Sequence, residues 1–167
     1  MGFIKEFNSL RIHDDLMSNT YSKILVPFDG SKFSKKAIKI ALDLARVHNS
    51  SLYVVNVVDI SAVNSPGKIH SKESHKSLAE IRKAIIDSAR SQINKIQEEC
   101  FSSGIVTKGV VLEGLAHQKL LQFIKENSID LVVIGSRGLS RVSKIMALGS
   151  VSRRISELAE IPVIIVR

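Results

Sequence analysis

The strongest constraint on the fold of this chain is a repeated exchange between short apolar runs and longer segments with helical periodicity. Continuous apolar runs of about four to eight residues are typical of buried strands, whereas apolar residues spaced by three and four are typical of amphipathic helices. The runs that we interpret as strands are Lys23–Phe28, Leu52–Val58, Ile105–Leu112, Asp130–Gly135 and Pro162–Val166. Their alternation with helical segments predicts an α/β fold: an open parallel five-stranded sheet with helices on both faces, in a single domain.

Four helices are predicted between these strands. The first begins after Ser31, a good N-cap residue. Its apolar face is formed by Phe33, Ala37, Ile40, Ala41 and Leu44. The second is long and ends before Gly104, which is placed to adopt the left-handed conformation. Its apolar stripe is formed by Leu78, Ile81, Ile85, Ala89, Ile93, Ile96 and Cys100. The third helix runs from about Leu115 to Glu126 and the fourth from Gly149 to Glu160, while residues 60–72 have the composition of a loop.

This topology predicts where a ligand would bind. Right-handed crossovers bring the C-terminal ends of parallel strands to one edge of the sheet, and ligands bind outside that edge where the strand order reverses. The segments expected there are Pro27–Ser31, Val57–Asp59, Leu112–Gly114 and Gly135–Gly138. We therefore expect the functional residues among these segments.

Several common chemistries have no support in the sequence. No G-x-G-x-x-G motif follows a strand. Gly104 and Gly109 have the spacing of the two P-loop glycines, but the next residue is Val110, where a P-loop needs lysine. No G-x-S-x-G motif occurs, and the five histidines never pair at metal-ligand spacing, so that His117 is predicted to be an exposed helix residue without a chemical role. Cys100 is the only cysteine, which excludes an intramolecular disulfide and indicates a reducing, cytoplasmic compartment.

One loop carries features that suit a phosphate group. Gly135-Ser136-Arg137-Gly138 follows the fourth strand, and Gly149-Ser150-Val151 opens the fourth helix, whose first amides and dipole favour an anion. Five basic residues and no acidic one lie in this region: Arg137, Arg141, Lys144, Arg153 and Arg154. The chain as a whole has a net charge of +8, and the concentration of basic residues in this region predicts that it attracts phosphate.

Taken together, these motifs resemble the nucleotide-binding type of universal stress protein. The segments that carry the resemblance are Ile24–Ser31 (ILVPFDGS), Val54–Asp59, Glu113–Gly114, Asp130–Ser152 and Ile161–Val166. The resemblance covers about residues 21–167 and leaves residues 1–20 as a leader, which we expect to be mobile. It implies the strand order 3-2-1-4-5, ATP bound at the point where that order reverses, and a homodimer formed through the strand Val163–Val166.

The resemblance also implies roles for individual residues. Asp29 would lie near the ribose and phosphates and help to hold a divalent metal, Mg or Mn, while the backbone of Val57 would contact the adenine edge. The full set of implied nucleotide-binding residues is Pro27, Asp29, Ser31, Val57, Gly135, Ser136, Arg137, Gly138, Gly149, Ser150 and Val151. One departure is that ten residues separate Gly138 from Gly149 where nucleotide-binding members usually have nine.

Each of these residues has an alternative structural role. The glycines suit tight turns, Ser31 and Ser150 suit helix caps, and Asp29 suits a loop in which it accepts backbone hydrogen bonds. Their convergence on one edge of the sheet favours the nucleotide site.

The expected function is that of an ATP-binding stress-response or regulatory protein, in which occupancy of the loop at 136–148 controls the binding of a partner. We expect binding rather than turnover, because no residue near the phosphates is an evident general base. The alternative is a nucleotide-free dimeric interaction protein of the same fold. A membrane span is not expected, since no apolar run reaches about 18 residues, and nucleic-acid binding is disfavoured by the 5% aromatic content.

Overall fold

The computed structural model describes residues 21–60, 72–139 and 148–167. The predicted leader at 1–20, most of the predicted loop at 60–72, and the two basic residues Arg141 and Lys144 lie outside these ranges. In the described part, five strands alternate with four helices. The elements are β1 (Lys23–Pro27), α1 (Lys32–His48), β2 (Ser51–Val58), α2 (Lys72–Phe101), β3 (Thr107–Glu113), α3 (Ala116–Asn127), β4 (Leu131–Gly135), α4 (Ser150–Leu158) and β5 (Val163–Val166).

The strands form one parallel sheet in the order β3-β2-β1-β4-β5. In β1, Leu25 is in register with Tyr53 of β2 on one side and with Val132 of β4 on the other. The predicted fold class and strand order are therefore confirmed. The strand order reverses at β1, which lies in the centre of the sheet with β2 on one side and β4 on the other.

Two apolar layers enclose the sheet, as the continuous apolar character of its strands requires. Alternate residues of β1 point to opposite layers, with Ile24 and Val26 packing under α1 and α2, and Leu25 packing under α3 and α4. The three central residues of β1, Ile24, Leu25 and Val26, are each 0% exposed. The mouth of any site must therefore lie at an edge of the sheet and not on a face.

The predicted helix faces need correction at three isoleucines. Ile40 of α1 is 38% exposed, because Ala37, Ile38, Ala41 and Ala45 form the buried face of this helix. In α2, Ile81 and Ile85 are exposed, whereas the later positions Ala89, Ile93, Ile96 and Cys100 are buried. A helical pattern gives the spacing of a face, but the buried length depends on where the sheet ends beneath the helix.

Two predicted helix ends are confirmed and one is shifted. Ser31 is the N-cap of α1, where its Oγ accepts a hydrogen bond from Ser34 N–H at 3.1 Å, and Gly104 has a φ of 74°. In α4, Gly149 is the N-cap and Ser150 is the first helical residue, so the predicted cap at Ser150 is wrong. No helix within residues 21–60, 72–139 and 148–167 is both long and apolar enough to cross a membrane.

The long helix α2 packs closely on the edge strand β3 at Gly109. A Cβ atom built at Gly109 would lie 2.2 Å from Ile93 Cγ2 and 2.6 Å from Gln97 Oε1. The Gln97 side-chain amide also donates to the carbonyl of Thr107 at 3.1 Å. The glycine that superficially suggested a P-loop is therefore required for packing between helix and sheet.

We predict that Gly109→Ala destabilises the protein by about 1–3 kcal/mol, because the new methyl group must displace Ile93, which is only 2% exposed. Urea unfolding measures the loss. The control is Val106→Ala, at a position 65% exposed just before β3, which should change stability by no more than about 0.5 kcal/mol. Equal stability of the two variants would contradict the packing described above.

Candidate functional site

A cleft of about 240 Å³ opens at the C-terminal edge of the sheet, where the ends of β1, β2 and β4 meet the first turn of α4. Nine of the predicted site residues line it: Pro27, Asp29, Val57, Gly135, Arg137, Gly138, Gly149, Ser150 and Val151. The other two, Ser31 and Ser136, are buried at 5% and 4% exposure and do not line it. The structure thus brings together residues that are more than a hundred positions apart in sequence.

The cleft exists because β1 ends before its neighbour β2. The last backbone bond between them joins Phe28 N–H to Val55 O at 2.9 Å. Along a strand, the N–H and C=O groups of every second residue point to the same neighbouring strand. The backbone groups of Val57 therefore point to the side of β1, beyond the end of that strand and into the cleft.

Asp29 connects the loop after β1 with the loop after β4. Its Oδ1 accepts a hydrogen bond from Ser31 N–H at 3.0 Å, and its Oδ2 accepts one from Leu139 N–H at 3.1 Å. A second contact between the loops is the bond from Ser31 Oγ to the carbonyl of Arg137 at 3.3 Å. The structural role considered for Asp29, accepting backbone hydrogen bonds, is thus observed, and it leaves further lone pairs on both carboxylate oxygens.

Gly135 allows α1 to approach β4 closely. A Cβ atom at this position would lie 2.7 Å from the carbonyl carbon of Phe33 and 2.9 Å from Ser34 N. Both are backbone positions at the start of α1, and the backbone cannot move aside as a side chain can. Gly135 therefore serves the packing of the helix on the strand and sets the position of the loop that begins at Ser136.

A short network holds the N-terminus of α4 against the end of β4. Ser136 N–H donates to Val166 O at 2.7 Å, and Ser136 O accepts bonds from Gly149 N–H at 2.8 Å and Ser152 Oγ at 3.0 Å. Gly149 has no side chain with which to cap the helix. The first amides of α4 therefore lack an intrahelical acceptor and a capping side chain from the N-cap residue, at the point where Ser150 and Val151 line the cleft.

The charges at the cleft are fewer than the sequence suggested. Among the described lining residues, Arg137 is the cation and Asp29 the anion. Arg153 and Arg154 are exposed on α4 and do not line the cleft, and Arg153 lies 3.9 Å from Glu157. The positive potential at the described part of the site thus comes mainly from Arg137 and the α4 amides.

Sequence reasoning missed most of the apolar wall of the cleft. Phe28, Val55, Ala116, Leu120 and Ile134 line it together with Ser34 and Leu139. Phe28 belongs to the segment Pro27–Ser31 that was expected at this edge, whereas Val55, Ala116, Leu120 and Ile134 lie in strands and helices whose patterns indicate only burial. A signal was present in α3, because the first apolar positions of a helix that follows a parallel strand face the same edge as the strand ends.

Two residues outside the cleft qualify the sequence predictions. His117, predicted to be exposed, is partly buried near the N-terminus of α3. Cys100, on the buried face of α2, is 1% exposed. Its burial raises the pKa of the thiol, a hydrogen bond to Thr107 lowers it in part, and the nearby charge of Glu99 raises it further. A buried, protonated thiol is consistent with the predicted place of Cys100 on the apolar stripe of this helix.

Comparison with known proteins gives the family. The model of the universal stress protein family matches residues 20–167. The chain belongs to the universal stress protein family. Universal stress protein MJ0531 of Methanocaldococcus jannaschii is 31% identical over 150 residues, which cover 89% of this chain and 84% of that protein.

Solved structures of the family share the fold. Universal stress protein UspA from Lactobacillus plantarum has a TM-score of 0.75 and 26% identity, covering 88% of this chain and 98% of that chain. A universal stress protein from Archaeoglobus fulgidus, solved in complex with dAMP, has a TM-score of 0.61 and 20% identity, covering 89% of this chain and 99% of that chain.

Ser31 and Ser150, which both suit helix caps by sequence, allow a test of where α1 and α4 are capped. Ser31→Ala removes the side-chain bond to Ser34 N–H and should cost about 0.5–2 kcal/mol of stability. Ser150→Ala removes no cap and should remain within about 0.5 kcal/mol of the unmodified protein. Thermal and urea unfolding compare the two variants directly. A larger loss of stability for Ser150→Ala than for Ser31→Ala would contradict the assignment of Gly149 as the N-cap of α4.

Proposed function

We propose that this universal stress protein binds an adenine nucleotide, ATP, in the cleft between β1 and β4, and that occupancy regulates its binding to a partner. In this proposal the phosphates accept hydrogen bonds from the first amides of α4, and Arg137 adds positive charge beside them. The adenine lies against the apolar wall, where the backbone of Val57 offers a donor and an acceptor. We place this function in the cytoplasm, in keeping with the single, buried cysteine.

The observation that carries the proposal is the start of α4, where a helix without a capping side chain on its N-cap residue opens directly into a cleft with an apolar wall. The amides and the dipole favour an anion at one end of this cleft. The wall formed by Val55, Leu120 and Ile134 favours a flat, apolar group at the other. A nucleotide joins these two chemistries in one molecule, and the relative solved with dAMP supports this choice.

A divalent metal fits this arrangement only in combination with phosphate. The described residues contain no cluster of three or more His, Cys, Asp or Glu side chains that would hold a metal by themselves. Mg²⁺ commonly binds through one or two carboxylates together with substrate phosphates. Asp29 lines the cleft and keeps lone pairs free of its two backbone donors, so it is the residue that would hold Mg or Mn against the triphosphate.

Regulation would act through the loop after β4. Arg137, Gly138 and Leu139 line the cleft, and they belong to the segment predicted to respond to the nucleotide, residues 136–148. A phosphate bound at α4 would therefore lie in the same cleft as Arg137, near the start of that segment, and Gly149, which directly follows its end. In this proposal the partner is a protein that binds the nucleotide-bound and the nucleotide-free state with different affinity.

A proline substitution tests the phosphate site without removing the helix. Proline is favoured at the first helical position, and Gly149 has φ −62° and ψ 156°, which suit a residue before proline. Ser150→Pro removes one amide donor, so we expect the dissociation constant for ATP to rise by about tenfold to a hundredfold, the effect of losing one hydrogen bond to a charged group. Calorimetric titration measures it.

Ser150→Ala is the matched control, because it removes the same hydroxyl but keeps the amide, so that its dissociation constant for ATP should rise clearly less than that of Ser150→Pro. Thermal unfolding verifies that both variants fold. Equal ATP affinity of Ser150→Pro and Ser150→Ala would remove the α4 amides from the site. Repeated failure to titrate ATP, with no nucleotide in an acid extract of the purified protein, would favour the alternative of a nucleotide-free interaction protein. Steady hydrolysis at or above about 1 per second would overturn the expectation of binding without turnover.

We also propose that the protein is a homodimer paired through β5. This strand is an edge of the sheet, and Ile164 on it is 37% exposed. Unpaired apolar edges are prone to association, and antiparallel pairing of two copies about a twofold axis covers them. Light scattering at micromolar concentration should give twice the chain mass, and Ile164→Lys should give a monomer. Val106→Lys, at an exposed position beside the opposite edge, is the control and should remain a dimer.

A further inference from the structure

The second glycine of the loop after β4, Gly138, has a neighbour that explains why it lacks a side chain. A Cβ atom built at Gly138 would lie 2.7 Å from Asp29 Oδ2 and 3.9 Å from Asp29 Cγ, and among the described residues these are the atoms it would meet within 4 Å. The backbone does not require glycine here, since the positive φ angles of described glycines are at Gly30, Gly104 and Gly114. The space beside Gly138 is therefore occupied by the Asp29 carboxylate.

The position of that carboxylate is held from both loops. Ser31 N–H fixes Oδ1 at 3.0 Å, and Leu139 N–H, which directly follows Gly138, fixes Oδ2 at 3.1 Å. A methyl group at position 138 would push Oδ2 away from Leu139 N–H. The Asp29 side chain is short, so it would relieve the contact by rotating, and the fold would lose one exposed hydrogen bond and no core packing.

We propose that Gly138 is a positioning residue for Asp29, and that through Asp29 it sets how far a divalent metal strengthens the binding of ATP. This inference rests on the proposed nucleotide site. A carboxylate beside a triphosphate repels it in the absence of a cation and attracts a cation that the phosphates share. The benefit of the metal then depends on the direction in which the two backbone donors hold the carboxylate.

The competing explanation for Gly138 is that the nucleotide itself occupies the space of its missing side chain. The two explanations differ in one respect. If Gly138 acts through Asp29, removing the carboxylate also removes the collision, so that Gly138→Ala has no further effect in an Asp29→Ala background. If the ligand fills the space, the methyl group weakens binding in both backgrounds. A double-mutant cycle separates these cases.

The experiment is calorimetric titration of ATP, with magnesium chloride and with EDTA, into the full chain and into Gly138→Ala, Asp29→Ala and the double variant. We expect the unmodified protein to bind ATP at least about fivefold more tightly with magnesium, the lower end of typical coupling between two ligands. Each of the three variants should lose most of this gain.

A second readout needs no ligand. The amide of Leu139 should exchange with solvent faster in Gly138→Ala than in the unmodified protein, while the amides of β4 keep their protection. Unchanged exchange at Leu139 would overturn the inference, as would an equal loss of ATP affinity from Gly138→Ala in both Asp29 backgrounds. Both results leave the nucleotide site intact, whereas failure of the unmodified protein to bind ATP overturns the proposed function and this inference together.

Discussion

The candidate site depends on the contact between the loops that follow β1 and β4. These strands are neighbours in the sheet but lie more than a hundred residues apart in the chain, and their ends are joined by the Asp29 carboxylate and the Ser31 hydroxyl. The contact is possible because Gly135 lets α1 pack directly on β4. With a larger residue at position 135, the start of α1 would move outward and both hydrogen-bonded loops would separate.

This arrangement gives one residue type three different uses within a short distance. Gly135 allows two backbones to approach, Gly138 leaves room for a carboxylate, and Gly149 is an N-cap residue without a capping side chain. The pattern of glycines and serines predicts that the backbone at this edge of the sheet approaches another group closely, but it does not identify that group. Only the tertiary structure distinguishes close contact with a helix backbone, close contact with a side chain, and an N-cap position that lines the cleft.

Much of the fold was predictable, because period and composition directly reflect burial. The strands of a parallel sheet covered on both faces are continuously apolar, and Lys23–Phe28 and Asp130–Gly135 show this clearly. The errors fall where burial depends on distant elements. Ile40, Ile81 and Ile85 satisfy a helical period, but α1 presents Ile38 to the sheet, and the first turns of α2 bury neither of the other two. Most of the apolar wall of the cleft, including Leu120 and Ile134, was missed for the same reason, since core residues and wall residues share one pattern.

The sequence by itself determined the family, the order of elements and the edge at which the glycine and serine motifs meet, because these follow from local periodicity and from motifs that are contiguous in the chain. Only the tertiary structure decided which residues line one cleft and which hydrogen bonds hold each of them. It assigned Asp29 two backbone donors, moved the α4 cap from Ser150 to Gly149, and placed Arg153 and Arg154 away from the cleft. Hydrogen bonds and collisions act over a few ångströms in space, and a linear sequence does not record distances between residues a hundred positions apart.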